Sequence, residues 1–600
     1  MLYAGRSHAR LMQEQFIAAL HDANKCLHLK PRVAIGYIRK FEALYSAKDY
    51  DGVLETLSIG VKDARARTLD MSTPEDETEV SVLRWRNPDE VAVNIHRVVE
   101  ALTLEMPPRL FNTFTGQLCE RNDVLGTFKK SDAYKHLLIL VASGRAVDQT
   151  IIQSVKYHFQ YVMLSHRWDT SHPEPSKQDI IADVYSLTKP KGVKKLKQFC
   201  RTAAKLGFEW AWSDTCCIDK SNSTEAQKSI TSMATWYRRS ALTIVHLADV
   251  PGPAPELFER SDWFTRGWTL QELLTPPKIR FYKSDWTPLL EGQGTPFNHK
   301  EHEPTLDRLT KATGIDKGSL RRFTPSCNDV RERLRWASHR RTTEEEDIAY
   351  SLMGVFDLQI PVMYGELKQK ALGRLLQEIV GSSGDLSVLQ WSGTSGSFSS
   401  CLPADISAFQ EKHWKSPRLA PDDIARSIKR LRQKVAEDLN NIPSLQRKLR
   451  KYHPAPLFMH GRLTLTCFVH HVKDFRRVVK RGSPRESGLY DVWAQGLKPF
   501  QVTVESTEHL STPPPLRNQH DFVVIRPWNP DFHNGFTPDA GGDPERLALE
   551  ACVQLERPFY ALLLSRRRSR YYRRVAGAVV KVGDIMEVLR TISIERLEIF

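Results

Sequence analysis

The chain has 600 residues, 41% of them hydrophobic and 26% charged, with a formal net charge of +15 and a pI near 9.3. That length calls for roughly three or four folded units, and that composition excludes disordered, fibrous and collagen-like classes. No stretch approaches the roughly 20 uninterrupted apolar residues of a membrane helix, and the first residues lack the apolar core of a signal peptide. The nine cysteines contain no CxxC pair and no His/Cys cluster at zinc spacing. The expectation is a cytoplasmic protein with reduced thiols, no membrane span and no metal site.

Phe16, Ala19, Leu20, Ala23 and Leu27 share one helical face, and Pro31 follows as a stop. Tyr37, Phe41, Leu44, Tyr50, Val53, Leu54 and Leu57 continue at helical spacing, with a break near Lys48-Asp49. Residues 1–65 resemble a tetratricopeptide (TPR) segment of about one and a half repeats, whereas about three are needed for a stable stack. A peptide-docking groove and a plain helical hairpin both fit. Residues 66–90, with Pro74-Glu75-Asp76-Glu77 and Asn87-Pro88-Asp89, read as a polar linker. Residues 91–160 mix helical and extended patterns without a chemical motif, so 66–160 form a linker and lead-in region.

From Tyr161 the pattern becomes regular. Tyr161–Ser165 is a short apolar run of buried-strand type, followed by a polar loop. Val193, Leu196, Phe199, Cys200, Ala203 and Leu206 then repeat at helical spacing, with Gly207 placed to end the helix. Phe208–Asp214 reads as a second strand, and Asn222 with Glu225 as a capping box opening a helix through Ala226, Ile230, Met233 and Tyr237. Leu242–Leu247 is a third strand. A short helix within Ser261–Leu274 is stopped by Pro276-Pro277, and Ile279–Tyr282 is a fourth strand. Strands alternating with helices predict an α/β domain around a parallel sheet.

Thr342 and Thr343 are placed to cap a helix starting at Glu344, and Leu367–Ile379 is a further amphipathic helix. Residues 392–455 form a connecting region in which Ile424, Ile428, Leu431, Val435 and Leu439 mark a basic helix that covers a core. From about 456 short strands alternate with turn signals: Leu463–Cys467, Phe500–Val504, Phe522–Ile525, Tyr560–Leu564 and Ala578–Val582. Residues 456–600 are therefore expected to form a β-rich domain. The densest basic patch is Arg566, Arg567, Arg568, Arg570, Arg573 and Arg574 around Tyr571 and Tyr572. It could contact phosphates, but a solvated hairpin tip is the weightier reading, and nucleic acid is not the expected partner.

Parallel sheets bind ligands outside the carboxyl ends of their strands, so residues just beyond each strand are the candidate site. Three blocks stand there: Leu164-Ser165-His166-Arg167-Trp168, then Ser213-Asp214-Thr215-Cys216-Cys217-Ile218-Asp219-Lys220, then Arg266-Gly267-Trp268-Thr269-Leu270-Gln271-Glu272-Leu273. In that order and spacing they closely resemble the diagnostic blocks of the fungal heterokaryon-incompatibility (HET) domain. Residues 336–350 and 361–366 look like the extension of many fungal members, so the HET resemblance spans 161–391. It implies a role in nonself recognition between fungal individuals, in which cell death follows fusion of incompatible hyphae. Implied partners are an incompatibility protein and further copies of the chain on activation.

The order of elements also resembles TIR domains of flavodoxin-like fold. Trp268-Thr269-Leu270-Gln271-Glu272-Leu273 follows their Trp-Cys-Leu-x-Glu-Leu motif, with Thr269 for the cysteine, and Glu272 falls on the glutamate used for NAD cleavage. The resemblance implies NAD+ as a substrate and no resident cofactor. Nicotinamide is a cationic leaving group, so one carboxylate that stabilises an oxocarbenium-like transition state could suffice. Arg167, His166 and Lys220 could meet a pyrophosphate, Trp168 or Trp268 could stack on a ring, and Ser165 lies in the strand-end loop.

Bland readings stand beside these. Glu272 could be a helix-start carboxylate paired with Arg266 or the helix dipole. Asp214 and Asp219 could cap loops or meet a ribose or a cation, and Cys216 and Cys217 read as buried small side chains rather than nucleophiles. Trp210, Trp212, Trp236 and Trp263 read as core, and Glu344–Asp347 as an acidic first helical turn. An adaptor without enzymatic activity, using the HET and TPR-like surfaces, is the alternative function.

Overall fold

A computed structural model of the chain describes residues 2–68, 82, 84–146, 148–168, 173–188, 192–252, 254–290, 292, 294–416, 419–435, 455–478, 487–505, 522–527, 544–568 and 571–600. The chain divides into two compact units, Met1–Ala248 with Pro276–His299, and Asp249–Thr275 with Lys300–Phe600.

The first unit begins with helices Leu2–Met12, Phe16–Leu29, Ala34–Ser46 and Tyr50–Thr68, each packed on the next. The expected break at Lys48-Asp49 is real: Lys48 has φ +60° and ends the third helix. Of the proposed linker, Pro74-Glu75-Asp76-Glu77 lies outside the described residues. Asn87-Pro88-Asp89 is instead a helix start, in which Asn87 Oδ1 accepts from the Asp89 amide and Pro88 takes the first position of Pro88–Thr103.

The sheet of this unit has six strands. The expected four are all present: β3 (Tyr161–His166), β4 (Trp210–Trp212), β5 (Leu242–His246) and β6 (Ile279–Tyr282). β3 pairs in parallel with β4 and β5, and β5 in parallel with β6. The lead-in region adds β1 (Arg109–Asn112) and β2 (Leu118–Glu120), antiparallel at one edge, so the order is β2-β1-β4-β3-β5-β6 and the sheet is mixed. Every residue of β3, β4 and β5 is buried, which is why these strands read as continuous apolar runs rather than alternating ones.

Two helices carry the crossovers from β3 to β4 and from β4 to β5. Val193–Lys205 buries Val193, Leu196, Phe199, Cys200 and Ala203 on one face, and Gly207 follows at φ +85°, where a side chain would be strained. Ser223–Arg239 starts at Asn222, whose side chain accepts from the Glu225 amide. The expected reciprocal half of the capping box is absent, because the Glu225 carboxylate accepts from Arg109 and from the Asp219 amide instead. Tyr237 and Tyr161 sew this helix to the sheet, donating to Leu164 O at 2.9 Å and Trp236 O at 2.7 Å. Trp212 meets Trp236 edge-on at 5.7 Å, and Trp210, Trp212 and Trp236 are core as expected. Each such buried aromatic contributes about 2–3 kcal/mol of hydrophobic stabilisation.

The second unit contains the short helix Thr269–Leu274, the helices Val330–Ala337, Asp347–Tyr350 and Lys368–Ser383, and an eight-stranded sheet. The helix expected from Glu344 begins three residues later. Glu346 is its N-cap, and the Glu346 side chain accepts from the Gly365 amide, which holds 344–346 as a turn.

The sheet is built from β7 (Leu457–Met459), β8 (Arg462–Val478), β9 (Ser487–Ala494), β10 (Phe500–Glu505), β11 (Phe522–Pro527), β12 (Phe559–Arg568), β13 (Tyr571–Val580) and β14 (Ser593–Ile599). The 17-residue β8 pairs with β9, β11 and β14, and β14 also pairs with β13, so the path β8-β11-β12-β13-β14 closes into a ring. Helices Pro544–Glu556 and Ile585–Thr591, together with Leu431 of Pro421–Val435, pack against Phe468 of β8. The basic helix thus covers a core, while Leu439 lies outside the described residues.

The Arg-rich segment pairs as an antiparallel hairpin, as read, and residues 569–570 lie outside the described residues. Its described side chains divide. Arg566 and Arg567 are exposed, whereas Tyr572 and Arg574 are buried. Arg574 lies 3.5 Å over the Trp391 ring and donates to Trp391 O at 2.8 Å.

Candidate functional site

At the carboxyl ends of β3 and β4 the first two blocks meet. Trp168 Nε1 donates to Asp214 Oδ2 at 2.8 Å, and Lys220 Nζ sits 3.8 Å over the Trp168 ring, an aromatic platform with a cation on its face. The other oxygen, Asp214 Oδ1, is buried without a hydrogen-bond partner among the described residues. Trp168 is 38% exposed and Lys220 is exposed. Asp219 binds Lys177 at 2.9 Å, Gln178 at 3.0 Å and the Ser221 amide at 3.1 Å. The Ser221 hydroxyl and Lys177 hold its carboxyl well below the usual range. Asp219 is therefore a loop-organising acid, and the Trp168–Asp214–Lys220 group is the open one.

His166 turns inward. Its Nε2 donates to Glu174 Oε2 at 2.8 Å, and Lys195, in the first turn of Val193–Lys205, binds the other Glu174 oxygen. Burial alone would push Glu174 up, but His166 and Lys195 outweigh it and bring the carboxyl down to about 2. Lys195 Nζ also donates to Arg167 O at 3.1 Å, fixing the backbone of the exposed Arg167. At the end of β5, His246 stacks on Trp286 at 4.3 Å, and its Nε2 lies 3.3 Å from Ser284 O. Burial pulls His246 down to about 4, so it is neutral at pH 7. Ser165 is fully buried, in register with Val245. Cys216 and Cys217 are fully buried, and burial pushes both thiols up, Cys216 to about 12, which leaves neither as a thiolate.

The third block belongs to the second unit. All six residues of Thr269–Leu274 are buried, and Glu272 is 8% exposed. The charge of Glu272 acts on Arg340 of the same unit. This guanidinium is buried and donates to Trp336 O at 3.2 Å, Arg266 O at 2.8 Å and Thr269 Oγ1 at 2.9 Å. Burial pulls Arg340 down to about 9, with the charge of Glu272 acting the other way. Trp268 Nε1 donates to Asp347 Oδ2 at 2.8 Å, and Tyr364 donates to Asp347 Oδ1 at 2.9 Å. Asp347 sits above the usual carboxylate range because burial exceeds the effect of those two hydrogen bonds.

Sequence reasoning found the blocks and missed their partners. Glu174 sits alone between Pro173 and Pro175, and Lys195 is one of three lysines in Lys194-Lys195-Leu196-Lys197 with no pattern to single it out. Arg340 lies in His339-Arg340-Arg341, where neither neighbour is buried. The lone acid in a proline-bounded loop was the one available signal.

Residues 161–256 match the family described as Heterokaryon incompatibility protein (HET). The chain is 38% identical over 239 residues to vegetative incompatibility protein HET-E-1 of Podospora anserina, a stretch that covers 38% of this chain and 17% of that protein. The chain thus matches well under two thirds of that relative's length. No solved structure matches the chain. Among the described residues no helix is long and apolar enough to cross a membrane. The first two blocks stand inside the matched stretch, at the carboxyl ends of β3 and β4, and residues 161–256 are a heterokaryon-incompatibility (HET) domain.

Proposed function

We propose that the protein is an effector of fungal nonself recognition, which triggers cell death when incompatible hyphae fuse, and that its chemistry is the cleavage of NAD with Glu272 as the catalytic carboxylate. The biological part is supported by the HET match and by the likeness to a vegetative incompatibility protein.

The chemical part is supported by the site. Among the parallel strands the order is second, first, third, fourth, that of flavodoxin-like sheets, whose ligands bind at the carboxyl ends where the winding reverses. The observation that carries the reading is the Trp168–Asp214–Lys220 group. It offers a ring for stacking, a cation for phosphate, and a buried carboxylate oxygen that a ribose hydroxyl would satisfy.

The concentrated 600-residue chain should release nicotinamide from NAD. Glu272→Gln should abolish release while circular dichroism shows the fold retained, and Asp214→Asn should raise KM about tenfold with a smaller change in kcat. Absence of release by the assembled wild-type protein sinks the NAD reading.

One observation favours a second reading, a non-enzymatic adaptor: Glu272 is buried and its charge acts on the buried Arg340, and a carboxylate so placed also serves as a structural counter-ion. That reading predicts cell death that survives Glu272→Gln and is lost on deletion of residues 1–65.

A further inference from the structure

The family match ends at residue 256, before the third block, yet the structure ties that block to residues further along the same unit. The Gly267 amide donates to Arg341 O at 2.8 Å, and the Arg341 amide donates to Thr265 O at 2.6 Å, a short backbone bridge on both sides of Arg266. A Cβ at Gly267 would stand 2.5 Å from Thr342 Cγ2, so the two segments approach as closely as a glycine permits. Arg340 reaches through this bridge to Arg266 O and Thr269 Oγ1. Asp347 holds the indole N–H of Trp268. Arg266, Trp268 and Thr269 are therefore all held by side chains of 340–347, and the charge of Glu272 acts on Arg340.

We infer that Arg340 and Asp347 are positioning residues of the third HET block: Arg340 fixes the start of the Thr269–Leu274 helix, and with it the place of Glu272 on that helix, and Asp347 fixes Trp268. The working HET module accordingly extends to about residue 350. The physical reason is the length of the helix. Six residues cannot hold themselves helical, and a helix this short has its orientation set by whatever binds its two ends. Arg340 is suited to that task because its planar guanidinium reaches several oxygens at once and keeps its charge when buried, which an ammonium does not do as well. The assignment to a catalytic Glu272 rests on the NAD reading; the positioning of the block does not.

Hydrogen exchange followed by mass spectrometry on the full chain tests it. In Arg340→Met and in Asp347→Asn, the peptide covering 266–273 should exchange at least tenfold faster, with peptides of β8 and of β3 unchanged. Arg340→Lys, which keeps the charge but not the three-oxygen reach, should fall between. If Arg340→Met does not fold, Arg340→Lys and Asp347→Asn carry the test. Unchanged exchange in 266–273, or equal acceleration throughout the chain, overturns the inference. In parallel, Arg340→Lys and Asp347→Asn should lower kcat for nicotinamide release at least tenfold with KM unchanged. A wild-type protein without release removes the NAD reading and leaves the exchange result to decide this one.

Discussion

Glu174 is the residue whose environment has the clearest measurable consequence. Its folded value of about 2 lies below the ordinary 4.5, so the stability it contributes is present above about pH 4.5 and is lost as pH falls toward 2. His246 acts in an adjoining window. It is neutral in the fold down to about pH 4 but takes a proton near 6.5 when unfolded, so the unfolded state binds the extra proton and stability falls as pH drops from about 6.5 to 4. Urea titrations across pH should show both windows. His246→Phe, which keeps a ring against Trp286, should remove the upper one, and Glu174→Gln should cost about 3 kcal/mol at pH 7 by leaving the Lys195 ammonium without its counter-charge. A pH-independent midpoint from 7 to 4 in the wild type would contradict this account. The proline-bounded loop around Glu174 was the one signal of this in the sequence: its role comes from His166 at the end of β3 and from Lys195 on a helix some twenty positions away.

Elements with strong periodicity were legible, and short ones were not. The four parallel strands and the Val193–Lys205 and Ser223–Arg239 helices follow from apolar runs, helical spacing and caps that the chain states locally. β1 and β2, of four and three residues, carry too little pattern to be read, and pairing with each other and with the distant β4 brings them into the sheet. The delayed start of the Asp347–Tyr350 helix also goes with a distant partner, the Gly365 amide bound by Glu346, while Thr342 lies against Gly267. This contact makes a testable pair. Gly267→Ala should destabilise by about 1–3 kcal/mol through overpacking, and adding Thr342→Ser, which removes the clashing methyl, should recover most of the loss in equilibrium unfolding. Equal destabilisation with and without Thr342→Ser would show that the close approach is not the cause.

For the whole molecule, net charge proved a poor guide and buried charge a better one. The basic cluster of the C-terminal sheet splits into exposed Arg566 and Arg567 and an inward Arg574 that holds Trp391. Arg574→Leu should therefore destabilise the fold by about 3 kcal/mol, read as a lower urea midpoint, while Arg567→Gln should leave the midpoint within about 0.5 kcal/mol of wild type. The HET assignment was legible because three ordered blocks lie at the ends of recognisable strands. The long β8, the ring closed by β14 and the two helices packed on that sheet were not, because they depend on pairings between distant segments. The proposed chemistry is tested by nicotinamide release from NAD by the concentrated 600-residue chain, wild type beside folded Glu272→Gln. The account predicts release by the wild type and none by the variant; no release by the assembled wild type, or equal release by both, would contradict it.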